Sequence, residues 1–499
     1  MSSLAPAAEV AIVGAGAMGT GIAQVAAKYG HRVHIFDNRI GAADAAQQRI
    51  GDALRKLASK GKLDSSEAEA AAARIVPVHA LGDLVSAKLV VEAIVEDLDV
   101  KRKMFRDLEV VVTPEAVLAS NTSSFSITSL AAGMKHPGRI VGMHFFNPAP
   151  ILPLVEVVSG LATERAVADL VYETAKAWGK VPVHAKSTPG FIVNRCARPF
   201  YGEALRLLLE NAADAATIDS VMREAGGFRM GPFELMDLIG LDVNFAVTKS
   251  VWEAYFHDPR FAPSILQAEL VAGGRLGRKS GRGFYDYAAD ARKPSPATES
   301  AKPRPSKITA VGDGTLVDGL RERFASAGLA VERRKASGPA HFVVEGGILA
   351  PSDGRTASSI ARDAVVYDLA FDYGSCTRLA VASAAGCSDA AYAAAVGALQ
   401  AAGIAVSRIG DAAGLVVMRT VAMLANEAAD AVNQDVASAR DVDLAMRNGV
   451  NYPVGPLAWA DAIGVDHVRT VLTNLAAHYG DPRYRTSPLV MRVERLTDE

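Results

Sequence analysis

Residues 9–19 read EVAIVGAGAMG: a mostly apolar run from Glu9 to Val13, then glycines at positions 14, 16 and 19. A short apolar run ended by glycine is the signature of a buried parallel strand. The helical pattern Ile22, Val25, Ala26, Tyr29 follows directly. Gly14 allows a tight turn, Gly16 lets the backbone approach a pyrophosphate, and Gly19 permits close packing of helix on strand. The helix N-terminus then turns N–H groups and a positive dipole toward the phosphates. A lone G-x-G-x-x-G is weak, so its surroundings matter. A second strand, Arg32-Val33-His34-Ile35-Phe36, ends at Asp37, where a ribose-binding acid belongs after such a loop. That carboxylate accepts from both ribose hydroxyls and repels a 2′-phosphate, which favours NAD over NADP. Arg39, two positions on, keeps NADP open as the alternative. The expectation is an NAD-binding Rossmann domain over residues 1–185.

Composition bounds the rest. A chain of 499 residues, half of them hydrophobic, holds several domains with sizeable cores. A net charge of −2 supplies no basic field for nucleic acid or an anionic membrane. Cys196, Cys376 and Cys387 form no CxxC pair, so no metal site is expected and a reducing compartment is. No apolar run reaches about 18 residues and the start lacks a basic leader, so the expected localisation is cytoplasmic. Residues 42–74 read as two helices around Lys60-Gly61-Lys62. Strands over Leu89–Ala93 and Ala116–Ser120 flank a helix from Val100 to Val110. The second of these strands runs into Asn121-Thr122-Ser123-Ser124, an ordinary N-cap by residue type. In an open parallel sheet, however, the carboxyl ends of strands line the ligand crevice.

Residues 141–158, VGMHFFNPAPILPLVEVV, set His144 in one apolar run and Glu156 in the next. An unpaired buried charge is costly, so each is the natural partner of the other. A carboxylate that orients an imidazole makes a general base suited to removing a hydroxyl proton. Beyond the strand Val181–Val183, the stretch TPGFIVNR (188–195) opens a helix expected to run to about Glu210. Further helices are expected from Thr217 and from Met230.

With these motifs in place, residues 7–287 resemble the 3-hydroxyacyl-CoA dehydrogenases. The resemblance rests on GAGAMGTGIA, VVEAIVED, SNTSSFSI, GMHFFNPAP with LVEVV, TPGFIVNR, GPFELMD and GRKSGRGFYDY. It implies that His144 takes the hydroxyl proton while hydride passes to NAD, that Glu156 pairs with it, and that Ser123 and Asn194 hold the substrate. It places cofactor contacts on the glycine loop (Gly14, Gly16, Met18, Gly19) and on Asp37, Glu96, Lys101, Asn121 and Asn147. Lys60 is carried over as a contact to the CoA nucleotide, while Ala53 stands where some members have a serine. The chain's length and tandem helical domains look most like the phenylacetate-type members that act on 3-hydroxyadipyl-CoA. Hydroxybutyryl-CoA and fatty-acyl substrates remain alternatives within the family. A non-catalytic NAD-binding scaffold and a dehydrogenase of free hydroxy acids compete from outside it.

The second half reads as a copy. Asp286–Lys307, with four prolines, is a linker, and 288–306 is its assigned span. Residues 307–410 look like a degenerate Rossmann-like unit: Gly312-Asp313-Gly314 lacks a third glycine, and its aspartate opposes a pyrophosphate. Residues 411–499 repeat the helical domain of 186–287. Arg195/Arg419, Glu203/Glu427, Asp219/Asp443, Gly231/Gly455 and Asp237/Asp461 share an offset of 419 − 195 = 224. Asn194 becomes Met418, so the copy is expected to be structural. Single-copy members of the family pair through their helical domains. The two copies are therefore expected to pack as an internal pseudo-dimer, with a further homodimer open.

Overall fold

The computed structural model describes residues 2–498. Its first sheet has eight strands. They are β1 (Val10–Val13), β2 (Val33–Phe36), β3 (Ile75–Val78), β4 (Leu89–Glu92), β5 (Val117–Ser120), β6 (Ile140–Phe145), β7 (Leu154–Ser159) and β8 (Val181–Lys186). Their order is β3-β2-β1-β4-β5-β6-β7-β8, with every pair parallel except β6–β7. Strands β1, β2, β4 and β5 are buried at every position, as expected of a sheet covered on both faces. The covering helices are α1 (Ala17–Lys28), α2 (Ala42–Ser59), α3 (Ser65–Ala73), α4 (Leu98–Val111), α5 (Ile127–Ala131) and α6 (Arg165–Ala177). Strand β3, with Pro77 in its middle, is not among the strands expected from the sequence. It forms at the sheet edge, where a missing N–H costs no ladder bond.

The glycine loop behaves as its sequence implies. Gly14 has φ +110°, and a Cβ on Gly19 would lie 1.8 Å from the Gly14 carbonyl oxygen, so α1 can approach β1 only with glycine there. Around Gly16 nothing lies within 4 Å of an added Cβ, leaving the backbone open to a ligand.

The helices that follow are α7 (Val193–Cys196), α8 (Arg198–Leu209), α9 (Ala215–Glu224), α10 (Pro232–Ile239), α11 (Leu241–Ala254) and α12 (Ile265–Ala272). The single helix expected to reach Glu210 is two, α7 and α8, because Pro199 cannot donate the bond that would carry a helix through. The second sheet comprises β9 (Ile308–Val311), β10 (Val331–Arg334), β11 (His341–Val344), β12 (Gly347–Pro351), β13 (Ala364–Tyr367), β14 (Arg378–Ser383) and β15 (Ala405–Arg408). Its order is β10-β9-β11-β12-β13-β14-β15. With it come α13 (Thr315–Ser326) and α14 (Asp389–Ala401), then α15 (Val417–Asn433), α16 (Ala439–Gly449), α17 (Pro456–Ile463), α18 (Val465–Tyr479) and α19 (Pro488–Arg492).

The repeat goes deeper than the sequence showed. Elements β6/β13, β7/β14, α6/α14, β8/β15, α9/α16, α10/α17 and α11/α18 all start at one offset, 364 − 140 = 224. Elements β1/β9, α1/α13 and β2/β10 start at another, 308 − 10 = 298. The smaller offset of the later elements means that the copy is shorter between its second strand and β13. The missing part is replaced by the antiparallel pair β11–β12. At the 224 offset, His144 corresponds to Asp368 and Glu156 to Ala380.

By internal contacts the chain forms two units. One comprises the residues up to Arg195 together with Gln434–Val450; the other comprises Cys196–Asn433 together with the residues from Asn451 on. In the second unit α15 packs along α8, its counterpart in the repeat. Fifteen of the 17 residues of α15 are buried, charged ones included. The Arg419 guanidinium donates to Glu203 at 2.6 Å and to Tyr484 at 2.7 Å, and Arg260 donates to Glu427 at 3.0 Å. Among the described residues no helix is long and apolar enough to cross a membrane.

Candidate active site

The site is built on the one antiparallel pair of the first sheet. His144 on β6 and Glu156 on β7 are direct cross-strand partners, so their side chains share a face. Nδ1 of His144 lies 2.7 Å from Oε2 of Glu156, with the residues 5% and 0% exposed. The other carboxylate oxygen, Oε1, accepts the backbone N–H groups of Ile192 and Val193 at 3.0 and 2.9 Å. One carboxylate thus holds the imidazole and the start of α7, and Asn194 is the next residue along. With Nδ1–H given to Glu156, Nε2 is the nitrogen left to take a proton. The Phe146 ring lies 4.5 Å from the imidazole and the Phe191 ring 5.9 Å. Both rings pack beside the imidazole.

The loop after β5 is tied to the same place. Oδ1 of Asn121 accepts the Phe145 N–H at 2.9 Å, joining the Asn121–Ser124 loop to the residue after His144. Ser123 is half-buried in that loop, and Asn147 is exposed at a cis peptide bond to Pro148.

Behind the loop lies a buried network that sequence reading missed. Glu92, 0% exposed at the end of β4, accepts from Lys101 at 2.6 Å, from Ser120 at 2.7 Å and from the Ile94 N–H at 2.7 Å. Lys101 also reaches Oε2 of Glu96 at 3.1 Å, and Thr122 and Ser124 donate to its other oxygen, Oε1, at 2.5 and 2.7 Å. Burial pushes the Glu96 carboxyl up, but Lys101 and the two hydroxyls outweigh it, so its pKa is lowered. The available signal for Glu92 was a charge closing the apolar run Leu89-Val90-Val91. Lys101 is 1% exposed, so its first task is to neutralise this pair of acids.

Below the glycine loop a cavity of about 460 Å³ is lined by Gly14, Gly16, Asp37, Arg39, Ile94 and Met104. Asp37 accepts the Ala15 N–H at 2.8 Å and the Arg39 side chain at 2.9 and 3.0 Å. Arg39 holds the Asp37 carboxyl down at about 2, so it is ionised and ready to accept hydroxyls. Met18 stands half-buried on the first turn of α1. An open glycine backbone, a helix N-terminus and an ionised acid at the end of β2 together fit an adenine dinucleotide. Lys60 lies apart, exposed at the C-cap of α2.

A larger cavity of about 690 Å³ opens at the second sheet, and size does not locate the chemistry. Its loop carries Asp313, and at the 298 offset Gly19 becomes Val317 and Asp37 becomes Lys335.

Residues 9–188 match the NAD binding domain of the 3-hydroxyacyl-CoA dehydrogenase family. Residues 190–287 and 414–496 match the C-terminal domain of the same enzymes, and 349–412 a 3-hydroxybutyryl-CoA dehydrogenase reduced Rossmann-fold domain. A 3-hydroxyadipyl-CoA dehydrogenase of Escherichia coli K12 is 43% identical over 484 residues, covering 96% of each chain. The chain belongs to the 3-hydroxyacyl-CoA dehydrogenase family. It is an NAD-dependent oxidoreductase of the long form. The crystal structure of a 3-hydroxybutyryl-CoA dehydrogenase from E. coli K12 covers 97% of this chain and 98% of its own, at 42% identity and TM-score 0.89. An (S)-3-hydroxybutyryl-CoA dehydrogenase from Ralstonia eutropha represents the short form of the dehydrogenase. It is 40% identical with TM-score 0.55, and matches 56% of this chain with 99% of its own.

Proposed function

We propose that this chain oxidises an (S)-3-hydroxyacyl-CoA to the 3-oxoacyl-CoA with His144 as the base. The observation that carries the proposal is the buried His144–Glu156 pair beside a fold that fits NAD. A secondary alcohol does not ionise near neutral pH, so its proton must be taken as the carbon–hydrogen bond breaks. Nε2 of His144 takes it, and Glu156 stabilises the imidazolium through Nδ1–H. When bound, NAD accepts the hydride from the same carbon. Ser123 and Asn194 hold the hydroxyl and the thioester carbonyl in line, at the ends of β5 and α7 that Asn121 and Glu156 tie to His144. In the reverse direction the imidazolium returns the proton. Asp37 and the Gly14–Gly19 loop with Met18, together with Glu96, Lys101, Asn121 and Asn147, would hold the dinucleotide, and Lys60 would meet the CoA nucleotide.

The acyl group proposed is the six-carbon dicarboxylic 3-hydroxyadipyl group. It is supported by the full-length E. coli relative of that name. A 3-hydroxybutyryl group is the second reading, supported by the name of the solved full-length structure. Rates across short, long and ω-carboxy 3-hydroxyacyl-CoAs with NAD and with NADP decide between them. The ω-carboxy substrate is expected to have the highest kcat/KM, and a preference for the four-carbon substrate would reverse the order. Activity with free hydroxy acids equal to that with the thioesters would refute both.

The domain reading proposed is 1–185, 186–287, a linker over 288–306, 307–410 and 411–499, in a cytoplasmic protein. The α8–α15 packing and the Arg419–Glu203 bond between the two copies support an internal pseudo-dimer of helical domains. Asp313, Val317 and Lys335 support a second Rossmann copy without NAD.

A further inference from the structure

Strand β8 is the edge of the first sheet, and it is covered by a segment from the far end of the chain. The Lys186 N–H donates to the Val436 carbonyl at 2.8 Å, and the Lys186 ammonium pairs with Asp435. The Asp441 carboxylate accepts the His184 N–H, and its burial raises its pKa. Helix α16 packs along β8 and β7.

The last residue of α16, Gly449, is buried. A Cβ placed there would lie 2.6 Å from Cδ2 of Leu154, 3.1 Å from Cγ2 of Val193 and 3.8 Å from Cε1 of Phe146. Each of these neighbours adjoins one member of the catalytic set. Leu154 lies two positions before Glu156, on the same face of β7. The Phe146 ring stacks obliquely on His144. Val193 precedes Asn194, and its N–H is one of the two held by Glu156. The backbone of Gly449 is not left-handed, so its conformation would accept any L residue. The repeat does not demand glycine either, since its counterpart at 449 − 224 = 225 is Ala225. A side chain at 449 would press on Leu154 and Val193, and one or both must shift to admit it.

We infer that Gly449, contributed by the second helical repeat, is a positioning residue for the His144–Glu156–Asn194 set. The repeat that lost its own chemistry forms the back wall of the first copy's site. A side chain at 449 shifts Leu154 or Val193, and with them Glu156, the imidazole and the start of α7. Displacements of about 1 Å at such a site cost on the order of a hundredfold in rate.

The inference rests on the proposed role of His144, and its test separates the two. In the full chain, Gly449→Val is expected to bind NADH like the parent and to keep its KM for NADH. Its kcat with acetoacetyl-CoA is expected to fall at least about tenfold, with a displaced pH profile. Adding Leu154→Ala opens the space again and is expected to recover most of the loss relative to Leu154→Ala alone. If Gly449→Val is insoluble, Gly449→Ala makes the same contact with Leu154 and is read the same way. Parental kcat in a folded position-449 variant overturns the inference, as does a loss that Leu154→Ala fails to relieve. Ala225→Val, the matching change in the other repeat, is expected to keep kcat, and an equal loss there would also overturn it. Turnover surviving in His144→Ala would instead overturn the catalytic reading.

Discussion

At the scale of single residues, Glu156 does two things with its two oxygens. Oε2 fixes the imidazole and Oε1 accepts two amides at the start of α7. His144→Ala removes only the proposed base, so kcat is expected to fall by roughly 10²–10⁴-fold with NADH binding retained, as stopped-flow turnover and fluorescence titration would show. Glu156→Gln keeps an acceptor for the amides but loses the charge that stabilises the imidazolium. It is expected to keep its melting temperature more nearly than its kcat. Asp37 carries a pH signature. Its folded pKa of about 2 lies below the ordinary aspartate value of about 3.9. Its contribution to stability is therefore present above about pH 4 and lost as the pH falls through about 2. Acid unfolding of Asp37→Asn should differ from that of the parent above this window and converge with it at lower pH.

At the scale of elements, the two copies solve one problem in two ways. Each must anchor the helix that leaves its sheet, and each uses a buried carboxylate. In the first copy it is Glu156 on β7. In the second it is Asp368, which stands where His144 would and accepts the Val416, Val417 and Met418 N–H groups at 3.0, 2.8 and 2.9 Å. Ala380 stands where Glu156 would, so the acid has changed strands and the imidazole is gone. Asp368→Ala leaves these amides without an acceptor. Calorimetry or urea unfolding of the full chain is expected to show a loss of roughly 3 kcal/mol or more. Its kcat below the transition is expected to match the parent, because Asp368 has no part in the proposed chemistry. Arg419→Met leaves the buried Glu203 without its direct ion-pair partner. It should destabilise by about 3–5 kcal/mol on the same measurement, with a second change, Glu203→Leu, returning part of the loss.

At the scale of the whole molecule, the second half is bound into the first by more than a linker. Deleting residues 307–499 strips α15 from α8 and uncovers the β8 edge. The fragment is expected to be insoluble or to dimerise, with activity well below that of the full chain. A monomeric fragment of parental activity, seen by light scattering and assay, would refute the pseudo-dimer proposal. Titration of the full chain is expected to find one NADH site, because Asp313 opposes a pyrophosphate and Lys335 cannot accept ribose hydroxyls.

Local chemistry determined a large share of this. The glycine spacing, Asp37 and the buried strand runs are short-range patterns that name their elements directly, and the ungapped helical repeat shows as identities at one fixed offset. His144 and Glu156 were legible as partners because two polar residues in apolar runs need one another. Glu92 was not, since a single acid at a strand end looks the same whether it meets solvent or Lys101. Strand β3 hid behind Pro77, which is tolerated only because the strand lies at an edge. The strands of the second copy kept their spacing and changed their side chains, so only the fold reveals that Asp368 occupies the place of His144. Gly449 carried no signal at all. Glycine near a helix end is ordinary, and the reason for this one is Leu154, which lies far back in the first half of the chain. Sequence determines what lies within a few turns of itself; only the tertiary structure decides which distant side chains compete for the same space.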